Sequence, residues 1–112
     1  MLDLILREGW LIDPEKLTML PGSLGVKDGK IAGIYPMGAA LPEAAEVVDL
    51  HGDAVSPGFI DVHTHGATGV DVNAADEAGL RKIAAFFATQ GVTAFNASVL
   101  TDTPETTEKC LG

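Results

Sequence analysis

The sequence is poor in several residue types that mark large protein classes. It has one cysteine, Cys110, among 112 residues, so no internal disulfide can form, and this favours a reducing, cytoplasmic compartment. Basic residues are also few, with 7 Lys and Arg against 16 Asp and Glu. The resulting formal charge of −9 argues against non-specific binding to nucleic acid or to an anionic membrane.

Long hydrophobic runs are missing as well. Hydrophobic residues make up 46% of the chain, which is too many for a disordered tail, but charge and glycine interrupt them too often for a membrane span. Residues 1–8 include acidic side chains, and they lack the basic stretch followed by an apolar stretch that marks a signal peptide. The sequence therefore predicts no signal peptide. By length alone, the chain would be one modest domain.

The first half, residues 1–55, consists of short apolar runs divided by Gly, Pro and Asp, which predicts β-strands. Asp28-Gly29 lies between the runs 24–27 and 30–34, and this dipeptide favours the type I′ turn of a hairpin. We therefore expect an all-β region forming one side of a small sandwich.

From residue 56 onward the pattern changes to strand, loop, helix, strand. Runs 59–65 and 92–100 predict strands, and an apolar stripe between them at helical spacing predicts a helix: Leu80, Ile83, Ala84 and Phe87. Asn73 is the expected helix cap, Gly91 the expected stop, and Thr103-Pro104 the start of a second helix. Such a crossover predicts parallel strands. Two of them cannot cover their own faces, so we expect the chain to be part of a longer protein.

His63 and His65 carry the clearest chemical signal. They are two residues apart on a predicted strand, so both side chains project from one face, about 6.6 Å apart along the strand. Neutral imidazoles bind zinc and related metals, and parallel α/β folds place their active sites at the carboxyl ends of strands. Asp61 falls on the same face and could orient a ligand. A His-x-His pair is a weak signal alone, but the glycine-rich loop after it strengthens the prediction.

These residues resemble a known family. Residues 57–66, PGFIDVHTHG, resemble the first barrel strand of the amidohydrolase superfamily, and residues 26–34 resemble the β-sandwich hairpin that precedes it. The continuation through Gly69, Asp71 and residues 90–95 is similar to the N-acetylglucosamine-6-phosphate deacetylases. Dihydroorotases usually carry Arg soon after the second histidine, where this chain has Ala67-Thr68. D-aminoacylases tend to have an acid directly after it, where this chain has Gly66.

The resemblance implies an α/β fold, a metal-dependent hydrolase (β/α)₈ TIM barrel with an accessory β-sandwich. Residues 1–55 would be the N-terminal part of the sandwich, and residues 56–112 the truncated start of the barrel, which needs about 250 residues. His63 and His65 match two histidine ligands of a site for one or two divalent ions (Zn, Fe, Mn or Co). The remaining ligands and the catalytic aspartate match positions beyond Gly112, so no catalytic residue is expected in this chain. Asn96 and Ser98 alternate on the second strand, and one of them could face the lumen near substrate.

The implied reaction is removal of the acetyl group from N-acetylglucosamine 6-phosphate, giving glucosamine 6-phosphate and acetate. Metal-activated water attacks the amide, and the aspartate transfers the proton. The implied partner is a phosphorylated amino sugar, with no nucleic acid and no membrane, in a homodimer of the full-length protein. The 112 residues alone are expected to be inactive. Two alternatives stay open: another amidohydrolase, such as a dihydroorotase, D-aminoacylase or deaminase, and a non-catalytic fragment that acts as an assembly module.

Overall fold

The structure is a computed structural model that describes residues 1–112. The chain divides into two compact units, Met1–Pro57 and Gly58–Gly112, which are described separately below. Both units are small, and strands outnumber helices among their elements. No helix has the length and apolar character needed to cross a membrane.

A single five-stranded mixed sheet forms the first unit. Its neighbour order is β3-β2-β1-β4, and β5 also pairs with β1. β1 is antiparallel to β2, and β2 to β3, whereas β4 and β5 both run parallel to β1. The strands are β1 (Leu2–Asp13), β2 (Thr18–Lys27), β3 (Lys30–Pro36), β4 (Ala44–Asp49) and β5 (Ala54–Val55).

β1 is a long strand with an irregularity near its middle. A β-bulge between Leu6 and Gly9 interrupts its pairing with β2, and Glu8 takes a positive φ of 58° there. The Ser23 hydroxyl accepts a hydrogen bond from the Glu8 N–H at 3.1 Å, so the bulge leaves this donor satisfied. The bulge divides the strand into a half that pairs with β4 and a half that pairs with β5.

The predicted hairpin is confirmed. Lys27 pairs with Lys30, and the turn residues Asp28 and Gly29 have φ values of 50° and 70°, both positive as a type I′ turn requires. Ile5 is the one apolar side chain of this unit that is fully buried, with 1% exposed. The unit is a single sheet, and its place in a β-sandwich stays a prediction.

The second unit is built on two parallel strands. β6 (Phe59–Thr64) pairs directly with β9 (Val92–Ala97), as the sequence pattern predicts, and a short hairpin of β7 (Gly66–Ala67) and β8 (Val70–Asp71) follows β6. A 3₁₀ turn (Val72–Ala74), α1 (Glu77–Thr89) and α2 (Pro104–Leu111) complete it. The unit is thus a strand–helix–strand element with a second helix; a closed barrel is not formed by these residues.

The helix that connects the two strands begins later than predicted. Its cap is Asp76, whose carboxylate accepts from the Gly79 N–H at 2.8 Å, so the assignment of the cap to Asn73 was wrong. Asn73 lies in the 3₁₀ turn instead, where its amide binds the loop after β9. Ile83 of the predicted stripe is fully buried, and the Phe87 ring packs edge-on against Phe95 of β9 with centroids 5.2 Å apart.

The second strand ends at Ala97, three residues before its predicted end at Leu100. The backbone of Leu100 is held by Asn73 rather than by a strand: Asn73 Oδ1 accepts from the Leu100 N–H at 2.9 Å, and its Nδ2 donates to the Leu100 carbonyl at 3.1 Å. The next helix starts as predicted, since the Thr103 hydroxyl accepts from the Thr106 N–H and Pro104 occupies the first turn.

Gly66 provides a test of the hairpin beside the histidines. A Cβ there would lie 2.0 Å from the Val70 carbonyl oxygen, and its φ is 143°. Gly69 has a φ of 79° but open space around it, which makes it a matched control. We expect Gly69→Ala to lower the free energy of unfolding by about 1 kcal/mol, from backbone strain alone. Gly66→Ala should lower it by roughly 3 kcal/mol or more, because the clash adds to that strain. Urea unfolding measures both; equal losses would contradict the structure.

A second test of the fold uses the effect of the Asn73 side chain on the pKa of Asp102. The pKa of Asp102 is lowered by the hydrogen bond from the Thr103 backbone N–H and by the bond from the Asn73 amide. A lowered carboxyl pKa stabilises the fold above the unfolded pKa of about 3.9, and this stability is lost as pH falls through the folded pKa. We expect Asn73→Ala to raise the pKa of Asp102 toward its ordinary value and to lessen the acid-induced loss of stability. Carbon NMR of the carboxyl group measures this, with Asn96→Ala as control; an unchanged pKa in Asn73→Ala would contradict it.

Candidate metal centre

The candidate site lies where β6 and β9 end side by side. Thr64 pairs with Ala97 at the end of the ladder, and the Ser98 N–H then donates to the Thr64 carbonyl at 2.8 Å. This bond extends the pairing one residue beyond β9. It brings Ser98 beside the two histidines that flank Thr64.

His63 and His65 are close together. Their Nε2 atoms are 3.0 Å apart, and the two rings meet edge to face with centroids 4.7 Å apart. Zn–N bonds of about 2.0–2.1 Å allow two nitrogens on one ion to be at most about 4.2 Å apart. The spacing of these two nitrogens therefore fits a shared divalent cation.

The far nitrogen of each ring faces Ser98. His65 Nδ1 is 3.0 Å from the Ser98 carbonyl oxygen, which can only accept, so this nitrogen carries the hydrogen and leaves the Nε2 lone pair free. His63 Nδ1 is 3.3 Å from the Ser98 hydroxyl. A bond of this kind on the second nitrogen is the usual support of a metal-binding histidine. The sequence pattern suggests that either Asn96 or Ser98 lies near substrate, and it gives no sign of this contact with the rings.

Asp61 also lies next to His63 in the structure. Its Oδ1 accepts from the His63 backbone N–H at 3.0 Å, so it steadies the main chain that carries the ring. The ring nitrogens themselves are engaged by Ser98 and by each other. A role of Asp61 in orienting a ligand stays a prediction. The contact through which Asp61 would act is its hydrogen bond with the His63 backbone N–H.

The glycine-rich segment after His65 holds that histidine from the other side. The Val72 N–H donates to the His65 carbonyl at 2.8 Å, and Val72 itself is buried. This bond ties the β7–β8 hairpin back onto the strand end. The loop therefore fixes the main chain of His65 while Ser98 fixes its ring.

The remaining residues considered in the sequence lie elsewhere. The His51 side chain is 85% exposed in a turn of the first unit. Cys110 is half-buried on α2, and its thiol donates to the Asn73 carbonyl at 3.1 Å. No group of three or more His, Cys, Asp or Glu side chains is arranged to hold a metal ion. The two imidazoles are thus an incomplete ligand set.

Two of the curated relatives each match a little over half of the chain. No protein-family model matches. The D-hydantoinase of Rhizobium radiobacter is 41% identical over 64 residues, which cover 57% of this chain and 13% of that protein. The adenine deaminase of Listeria innocua is 35% identical over 63 residues, which cover 56% of this chain and 10% of the deaminase. The matched part is thus about a tenth of the length of these curated relatives.

Solved structures match nearly the whole chain. N-acetyl-D-glucosamine-6-phosphate deacetylase from Mycobacterium smegmatis superposes with a TM-score of 0.80 over 99% of this chain and 28% of the deacetylase, at 24% identity. N-acyl-D-glutamate deacylase from Bordetella bronchiseptica, solved with zinc, superposes with a TM-score of 0.63 over 86% of this chain and 18% of that protein, at 35% identity.

In both sequence and fold, the chain matches proteins of the amidohydrolase superfamily. The matched proteins differ in specificity: they include a hydantoinase, a deaminase and two deacylating enzymes. The matches to this superfamily agree with the resemblance in residues 57–66. The similarity to the deacetylase, at 24% identity, is a similarity of fold.

Proposed function

We propose that His63 and His65 are two ligands of a divalent cation (Zn, Fe, Mn or Co; one or two ions) in a metal-dependent amidohydrolase. We further propose that the whole protein removes the acetyl group of N-acetylglucosamine 6-phosphate. The observation that carries the proposal is the pair of Nε2 atoms 3.0 Å apart at the carboxyl end of a parallel strand. Two neutral imidazoles with supported far nitrogens are a good donor set for such an ion.

The chemistry divides between this chain and the rest of the protein. A divalent cation, when bound, activates a water molecule and polarises the amide carbonyl. Hydrolysis then joins the water oxygen to the carbonyl carbon, breaks the carbon–nitrogen bond and returns a proton to the departing amine. His63 and His65 would hold the cation, and Ser98 and the backbone of Val72 would keep these ligands in place. The other ligands and the acid/base carboxylate come from residues outside this chain.

The architecture we propose is a (β/α)₈ barrel with an accessory β-sandwich. β6, α1 and β9 would be its first strand, helix and second strand, and the sheet of β1–β5 would be part of the sandwich. The exposed apolar side chains of β6 support this proposal. Phe59, Ile60 and Val62 are each 68–70% exposed, as expected for residues that further barrel elements cover.

The substrate proposal has separate support. The solved deacetylase that superposes on 99% of this chain holds N-acetyl-D-glucosamine 6-phosphate. Residues Gly66, Ala67 and Thr68 after the second histidine lack the acid and the arginine that mark aminoacylases and dihydroorotases. By the same resemblance we propose a cytoplasmic homodimer.

A second candidate function is hydrolysis of another amide, such as a hydantoin ring or an N-acyl-D-amino acid. One observation favours it: sequence identity is 41% to the D-hydantoinase and 35% to the N-acyl-D-glutamate deacylase, against 24% to the sugar deacetylase. These three substrates differ in charge and shape, so one assay series separates them.

Metal binding tests the ligand assignment directly. We expect His63→Ala and His65→Ala each to lower the affinity of the chain for Co²⁺ or Zn²⁺ at least tenfold, because each removes one of two donors. His51→Ala is the matched control, since that histidine is solvent-exposed. Titration calorimetry measures the affinity. A wild-type chain that binds no metal, with no change in either variant, would instead favour the non-catalytic assembly module.

A substrate series tests the reaction. We expect the full-length protein that contains this chain to release acetate from N-acetylglucosamine 6-phosphate and to lose the activity on metal removal. The 112-residue chain alone should release none, because it lacks the acid/base carboxylate. A coupled assay measures acetate release from the sugar and from N-acetyl-D-glutamate, and the loss of ultraviolet absorbance measures ring opening of hydantoin and dihydroorotate in parallel reactions. Faster turnover of any of these three would overturn the sugar assignment and leave the amidohydrolase assignment in place.

A further inference from the structure

Ser98 is the one residue that contacts both histidines through their far nitrogens. Its carbonyl oxygen faces His65 Nδ1 at 3.0 Å, and its hydroxyl oxygen faces His63 Nδ1 at 3.3 Å and the Asn96 carbonyl oxygen at 3.5 Å. A hydroxyl can donate or accept, whereas a carbonyl oxygen can only accept. The carbonyl contact therefore requires a hydrogen on His65 Nδ1, whereas the hydroxyl contact allows His63 Nδ1 either to donate or to accept.

The hydrogen positions in the metal-free chain follow from these contacts. Because His65 donates from Nδ1 to a carbonyl, its neutral ring presents a lone pair at Nε2. That lone pair faces His63 Nε2 at 3.0 Å, and two lone pairs at this distance would repel. His63 therefore carries its hydrogen on Nε2 and donates it to His65. His63 Nδ1 is then an acceptor, and the Ser98 hydroxyl donates to it.

A cation shared by both rings requires a different arrangement. Both Nε2 lone pairs must then face the ion, so the hydrogen of His63 has to be on Nδ1. There it donates to the Ser98 oxygen, and the hydroxyl hydrogen turns toward the Asn96 carbonyl. The same side chain thus satisfies His63 in both states without a change of position.

We propose that Ser98 is a positioning residue for the metal ligands. Its carbonyl fixes His65 in one tautomer, and its hydroxyl serves His63 as a donor before the cation binds and as an acceptor afterwards. The inference rests on the proposed function, since it assumes that a cation binds His63 and His65. It adds a residue directly after the second strand that touches no ion and determines how readily the two histidines bind one.

Three variants separate the hydroxyl from other effects. Ser98→Ala keeps the carbonyl and removes the hydroxyl, Ser98→Thr keeps both, and Thr101→Ala removes a nearby hydroxyl that makes no bond to either histidine. We expect Ser98→Ala to weaken Co²⁺ binding roughly 10- to 100-fold, the usual effect of removing such a support. Ser98→Thr and Thr101→Ala should stay within about threefold of the wild-type chain. Cobalt titration followed by visible absorption measures all three.

Nitrogen NMR of the imidazoles gives a second measurement without metal. In the wild-type chain we expect hydrogen on Nδ1 of His65 and on Nε2 of His63. In Ser98→Ala, His65 should keep its tautomer and His63 should become a mixture. This measurement on the wild-type chain stands even where Ser98→Ala does not fold: hydrogen on Nδ1 of metal-free His63 would overturn the proposal.

The outcomes also distinguish this inference from the proposed function. Wild-type cobalt affinity in His63→Ala and His65→Ala would overturn the metal site itself. Loss of affinity in those two variants together with wild-type affinity in Ser98→Ala would overturn the role of Ser98 alone. Equal weakening of cobalt binding in Ser98→Thr and Ser98→Ala would also overturn the role of Ser98, because loss of the hydroxyl would then not explain the weaker binding.

Discussion

The hydrogen bond from the Ser98 N–H to the Thr64 carbonyl is the interaction on which the candidate site depends. It fixes the register of two parallel strands at the point where both end. In a strand, a shift by one residue turns every side chain to the other face, so a slipped pairing would move Ser98 away from the rings. Gly58 secures the other end of the pair, since a Cβ there would lie 2.1 Å from the Thr93 side chain. A bulkier residue at position 58 would push the strands apart where the alignment begins.

Local chemistry explains which parts of the fold could be predicted from the sequence. The Asp28-Gly29 turn, the Thr103 cap and the His63/His65 pairing depend on neighbours a few residues away, and the structure has all three. The start of α1 was misplaced because Asn73 has a competing partner 27 residues away at Leu100. Capping by Asn73 and bridging by Asn73 look alike in sequence, and only the tertiary contact separates them.

The site itself was predictable only in part, for the same physical reason. Two histidines on one strand share a face by geometry alone. Ser98 lies 35 residues from His63, and its contact with both rings depends on the strand register described above. Asp61 could be placed near the histidines by its spacing, but its bond to the backbone N–H of His63 could not be predicted. Short polar side chains often find such local backbone partners first.

The apolar exposure of β6 has a consequence for how this chain acquires its structure. Phe59 and Ile60 are neighbours on one strand, so they point to opposite faces of the sheet, and each is 68% exposed. The sheet of β1–β5 contains hairpins between adjacent strands, which form early because little chain must be closed. In the second unit α1 packs against β9 through Phe87 and Phe95, whereas the apolar side chains of β6 stay exposed. The hairpins of the first unit therefore close short loops, whereas the β6–β9 pair beside the histidines must close a loop that contains the whole of α1, so we expect that pair to form later.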